Sequence, residues 1–168
     1  MTISLYQILV PVYTRQLNNL AGIIQKAVDH CAKHKIDPTA LLQYRLFPDM
    51  FPLTHQVRFA CNHAERGVCR LTGIDPPTRE NKEATFEELA ARIATAIAFV
   101  KAADANKMVG MEDREITFPV GEKQMTLKGI DYLFQFSMPN VYFHVTTAYN
   151  ILRHNGLQLG KEDYLGSP

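Results

Sequence analysis

Apolar residues recur at helical spacing through four long stretches of this chain, and at one place only does the period fall to two. Chains patterned this way bury one stripe of each helix against the others, so an all-α bundle is the expected class. The first stretch runs from about Ser4 to Lys35, with Leu5, Leu9, Val12, Leu20, Ile23, Ala27 and Cys31 on one face. Pro11 either kinks this helix or marks its start. Asp37-Pro38 reads as an N-cap followed by proline at the first helical position, which predicts a short helix over 39–44. Pro48 and Pro52 then punctuate a loop.

The second long helix starts near Pro52 and stops before Gly73. Leu53, Val57, Ala60, Ala64, Val68 and Leu71 form its inward arc, and Arg58, Asn62, Glu65 and Arg66 its predicted outward face. Residues 74–84 read as a polar linker in which Pro76-Pro77 excludes helix. Thr85-Phe86-Glu87-Glu88 is a capping box that opens the third helix, expected to reach about Ala103 with Leu89, Ile93, Ala96, Ile97 and Val100 inside. Between Arg114 and Lys128 the period becomes two, and Gly121 turns the chain. That predicts a small hairpin, kept outside the core because Pro119 makes one strand an edge. Residues 129–137 look like a further helical stretch, and Pro139 is expected to begin the last helix, which ends at Asn155-Gly156.

A length of 168 residues fits one domain spanning residues 1–168. With 18 basic against 17 acidic residues the chain lacks the electrostatic footprint of a nucleic-acid or anionic-membrane partner. The apolar run Ile3–Val12 is too short to span a bilayer and lacks a basic flank. Three cysteines make no disulfide framework, so a reducing, cytoplasmic setting is expected. No phosphate-binding loop, dinucleotide fingerprint, H-E-x-x-H or nucleophile elbow occurs.

Among the six histidines, His144 is the leading candidate. It shares a helical side with Asn140, Ala148, Ile151 and Leu152, an apolar side on which an imidazole needs a partner or a ligand. His63, about a quarter turn outside the inward arc of its helix, could reach a cleft edge, whereas His55 lies opposite that arc. His30 and His34 are spaced as a chelating pair but sit in a helix's last turn, where cationic side chains favour the dipole. His154 has the same explanation. Cys31, Cys61 and Cys69 have no basic cluster beside them and read as inert packing. Late aromatics, Tyr142 among them, serve the core, and tyrosine hydroxyls also line clefts.

The stretch Pro139-Asn140-Val141-Tyr142-Phe143-His144-Val145-Thr146-Thr147-Ala148-Tyr149, continuing through Leu152-Arg153-His154-Asn155-Gly156, resembles the signature of an uncharacterised bacterial family, a domain of unknown function in the DinB/YfiT-like superfamily. Phe51-Pro52-Leu53, Gln56-Val57, Arg70-Leu71 and Leu159-Gly160-Lys161-Glu162-Asp163 extend the likeness along the chain. The resemblance implies a four-helix bundle, here with the hairpin between the third and fourth long helices, and a homodimer. It also implies a metal site of three histidines, one from the second long helix and two spaced by four on the last; some members are metal-dependent thiol S-transferases. His144 matches the second of that pair, Asn140 stands in place of the first, and Phe59 and Ala60 occupy the remaining region without a histidine. The expectation is a metal-free bundle in which His144, Asn140, His63 and Tyr142 line a pocket for a small ligand or partner, with no cofactor. The alternative is a divalent-metal enzyme (Ni or Zn) whose ligands are His144, His63 and a carboxylate.

Overall fold

The computed structural model describes residues 3–166. Four long helices carry the core: α1 (Leu5–His34), α3 (Leu53–Thr72), α4 (Phe86–Lys101) and α6 (Met138–His154). The short helices are α2 (Pro38–Leu42), α5 (Gly129–Asp131) and α7 (Lys161–Leu165). A hairpin of β1 (Glu115–Val120) and β2 (Lys123–Lys128) is inserted between α4 and α6. The all-α bundle with one small hairpin is thus the architecture observed.

The helix starts follow local chemistry. The Ser4 hydroxyl accepts from the Gln7 amide at 3.2 Å, Thr85 accepts from Glu88 at 3.2 Å, and the Asp37 carboxylate accepts from Thr39 at 2.9 Å. Pro11 lies inside α1 on its solvent side, so the helix neither starts nor ends there. Val12 of the predicted apolar face is only half-buried, while its neighbour Tyr13 is fully enclosed.

At one end of the bundle the C-terminus of α1 meets the N-terminus of α4 across a shared cleft, and α3 begins beside α2. His154, at the end of α6, packs near Tyr44 at the same end. Hence α1 and α6 run one way, and α3 and α4 the other. Joining two parallel helices requires a connection that travels back along the bundle. α3 is about 30 Å long, and an extended linker over 74–84 covers that distance at about 3.3 Å per residue.

That return path changes the fate of the face predicted to be outward. The linker lies along α3, and Glu65 is 2 % exposed. Its carboxylate takes both terminal nitrogens of Arg92 (3.0 and 2.6 Å) and one of Arg79 (2.8 Å). Arg92 also donates to Asn62 at 2.7 Å, and Arg58 binds Glu83 at 2.8 Å. Of the four residues expected to face solvent, only Arg66 does so fully. A polar stripe here marks contact with a polar linker.

The second departure is at the start of the last helix. Pro139 does not begin it: helical backbone runs from Gly129 to His154 with no break, through a π-helical stretch over Tyr132–Ser137. Proline has no N–H to give the carbonyl of Gln135. The widened turns upstream, where the Met138 amide bonds to the Leu133 carbonyl, absorb that deficit. The wide stretch presents the Ser137 hydroxyl, which accepts from Tyr13 at 2.6 Å in a fully buried contact. Gly67 of α3 lies against this pair; a Cβ there would stand 2.7 Å from Ser137 Oγ and 2.8 Å from Tyr13 Cε2.

Two substitutions check these contacts. Gly67→Ala is expected to cost about 1–3 kcal/mol by overpacking, and Glu65→Ala about 3–5 kcal/mol because Arg92 stays buried without its carboxylate. In thermal unfolding each kcal/mol lowers the midpoint by about 2–4 °C for a chain of this size. Unchanged midpoints would remove both contacts from the account.

Candidate functional site

On α3, Gln56, Phe59 and His63 follow one another at spacings of three and four, which aligns them on one side of the helix. That side faces α6, and His144 sits opposite. Gln56 is 2 % exposed, so both ends of its amide need partners. Its Nε2 donates to the carbonyl of Phe51 at 2.9 Å, a group left free because it precedes the helix. The remaining Oε1 accepts from His144 Nδ1 at 2.8 Å. The imidazole is therefore the Nδ1–H tautomer, and its Nε2 carries a lone pair with no donor among the described residues.

His63 stacks on His144 with ring centroids 5.4 Å apart and planes 20° from parallel. Phe59 leans on His144 at 5.2 Å, and Phe143 meets it edge-on at 5.3 Å. Phe51 extends the cluster by packing against Phe59 at 5.1 Å, with His55 stacked on Phe51. Phe51 and Phe143 are 52 % and 55 % exposed, so two open phenyl rings rim a pair of half-buried imidazoles.

Burial pushes the His144 imidazole down to about 4. Burial first, then the charges of His144, Arg66 and Arg70, pushes His63 down to about 3. Both rings are uncharged at neutral pH, which suits their stacking: two imidazolium ions in this position would repel.

The sequence candidates divide on this geometry. His144 and His63 come together. His144 is half-buried at the edge of the core, which is formed on its helix by Val141, Val145 and Ala148. Asn140 lies one turn below it, with its amide nitrogen donating to the Phe136 carbonyl at 2.7 Å. Tyr142 does not join the pair. It is two residues from His144, hence about 200° round the helix axis, and its hydroxyl lies near that of Tyr164. Gln56 and Phe59 are not among the site candidates drawn from the sequence, although their spacing to His63 is the available signal. His30 and His34 face each other at 4.5 Å in the last turn of α1, remote from this site.

A transition metal is held by three or four N, S or O ligands. Among the described residues no group of three or more His, Cys, Asp or Glu side chains lies close enough to share one. At this site a cation would find two imidazoles, one with Nδ1 already committed to Gln56, and no carboxylate. That donor set does not fit a tightly held Ni or Zn. Nucleophilic chemistry is also poorly served: burial pushes the Cys61 and Cys69 thiols up to about 12 and about 11. What the arrangement does well is accept a hydrogen bond at His144 Nε2 beside apolar ring surface.

The chain is thus an up-down-down-up bundle whose third and sixth helices meet at His144. A crystal structure described as a DinB family member protein from Shewanella denitrificans superposes on this chain with a TM-score of 0.91 and 37% sequence identity, over 98% of this chain and 93% of that one. The family model for a domain of unknown function, DUF1993, matches residues 5–165, and the chain belongs to that family. No curated protein matches it. Among the described residues no helix is long and apolar enough to cross a membrane.

The two imidazoles give a pH signature. Each has a lower pKa folded than unfolded, so between about pH 6.5 and 4 the unfolded chain binds more protons and stability falls as pH falls. Above about 6.5 their contribution is complete. Denaturant midpoints measured from pH 7.5 to 4.5 should decline, and His63→Phe should flatten the decline. An equal slope in the variant would contradict the neutral pair.

Proposed function

We propose that this protein is a binding module, working without a metal, whose site around His144 takes a small uncharged ligand with a flat apolar body and one hydrogen-bond donor. The observation that supports this reading is the lone pair of His144 Nε2, held in place through Gln56 and flanked by the rings of Phe59, His63 and Phe143. A donor on the ligand would satisfy Nε2, and the exposed phenyl rims would cover the apolar body. A charged ammonium would have to lose its hydration with no carboxylate in return. Asn140, a turn away on α6, would supply an amide carbonyl oxygen on the same side.

A homodimer in a reducing cytoplasm belongs to the same reading. Phe47, outside the ligand site, is 63 % exposed, apolar surface of the kind a second copy covers. Three free thiols suit a reducing compartment.

Phenol is a suitable probe because it is neutral at pH 7 and carries one O–H donor on a flat ring. It should perturb the His144, His63 and Phe59 resonances saturably and raise the melting temperature, with both effects absent in His144→Ala and with toluene or benzylamine. No saturable response, or an equal one in His144→Ala, would overturn the proposal. So would untagged protein that carries near-stoichiometric Ni or Zn and loses it in His144→Ala, which would establish a metal site.

A further inference from the structure

One and two turns beyond His63 on α3, Arg66 and Arg70 line a cleft of about 330 Å3. Its remaining walls are Cys69, Ile74 and Pro76 on one side and Thr117, Phe118 and Pro119 of β1 on the other. The end of α3 and the linker that follows it therefore converge here with the hairpin, which is distant in sequence. The volume lies within the range of small-molecule sites, about 300–1,000 Å3.

The charge pattern sets this cleft apart. Arg58 of α3 holds Glu83 of the linker, while Arg79 of the linker and Arg92 of α4 both hold Glu65 of α3. Among the described residues Arg66 and Arg70 hold no carboxylate, although they stand one turn apart and line the same cleft. Arg70 is nonetheless fixed in place. Its guanidinium lies 4.5 Å above the Phe118 ring, and one terminal nitrogen donates to the Tyr132 hydroxyl at 3.2 Å. A guanidinium has five N–H donors, so Arg70 keeps others for a ligand. Arg66 is exposed and free to close from the rim.

We propose that this cleft binds a small organic oxyanion, a carboxylate or phosphate monoester carried on a flat apolar body. The two guanidinium groups would take the paired oxygens, for which their planar forks are matched. The body would lie against Pro76, Ile74 and Pro119, wall residues without charge. A cation is excluded by two unpaired positive charges. A neutral ring of the same size would leave both guanidinium groups without an anionic partner and gain only the apolar contact.

Four probes of one ring size test it by calorimetry and thermal shift: benzoate, phenyl phosphate, benzyl alcohol and benzylamine. At least one of the two anions should bind saturably and raise the melting temperature, while the cation gives no response. A charge-assisted hydrogen bond is worth about 1.5–3 kcal/mol, so Arg66→Gln should weaken anion binding about tenfold or more. Arg66 is exposed, so this variant keeps its fold, and Arg70→Gln provides a second reading. Which anion binds more tightly decides between carboxylate and phosphate as the natural headgroup. Absence of saturable binding by both anions, equal affinity in Arg66→Gln, or binding of benzylamine as tight as that of the anions would overturn the proposal.

Discussion

How closely α3 can approach α1 and the π-helical start of the last helix is set at Gly67. There α3 has no side chain, and the Tyr13 ring and the Ser137 hydroxyl fill the space within 3 Å of where a Cβ would be. The Tyr13–Ser137 bond is fully enclosed, and burial raises the phenol's pKa far enough that it stays a donor. Gly67 lies four residues beyond His63 and eleven beyond Gln56, on the same helix. With α3 held there, the rest of its length is brought alongside α6, and Gln56 comes within hydrogen-bonding distance of His144.

The site then follows from satisfying one buried amide. Gln56 cannot leave either end of its side chain empty, and the Phe51 carbonyl takes the nitrogen. The oxygen can only accept, which decides the His144 tautomer from a distance of two bonds along the network. Stacking of His63 on His144 disfavours charge on both rings at once, and burial lowers the pKa of each. On the same faces, Asn140 donates to the Phe136 carbonyl and Phe59 packs on His144, so both are engaged with protein groups.

Much of the fold was legible because it is written in local chemistry. Ser4, Asp37 and Thr85 cap helix starts, Gly73 takes the left-handed conformation after α3, and the alternation at Ile116 and Phe118 marks the hairpin. The failures share a cause: they depend on what arrives from elsewhere. Glu65 reads as a surface residue until a linker returns along its helix and brings Arg79, while α4 brings Arg92. The π-helical stretch depends on Pro139 and on where Ser137 must point, neither of which is visible in a periodicity. His144 and His63 could be singled out separately, but their stacking depends on the register between α3 and α6. Tyr142 was an aromatic on the right helix and the wrong side.

The central claim is that His144 is a neutral imidazole with its proton on Nδ1 and an open lone pair on Nε2, held so by Gln56. A long-range 1H–15N correlation spectrum of the histidine side chains at pH 7 reads this directly. His144 in the native protein should show a protonated, pyrrole-like Nδ1 and an unprotonated, pyridine-like Nε2, with that preference lost in Gln56→Leu. A spectrum showing the Nε2–H tautomer, or both nitrogens protonated, would contradict it.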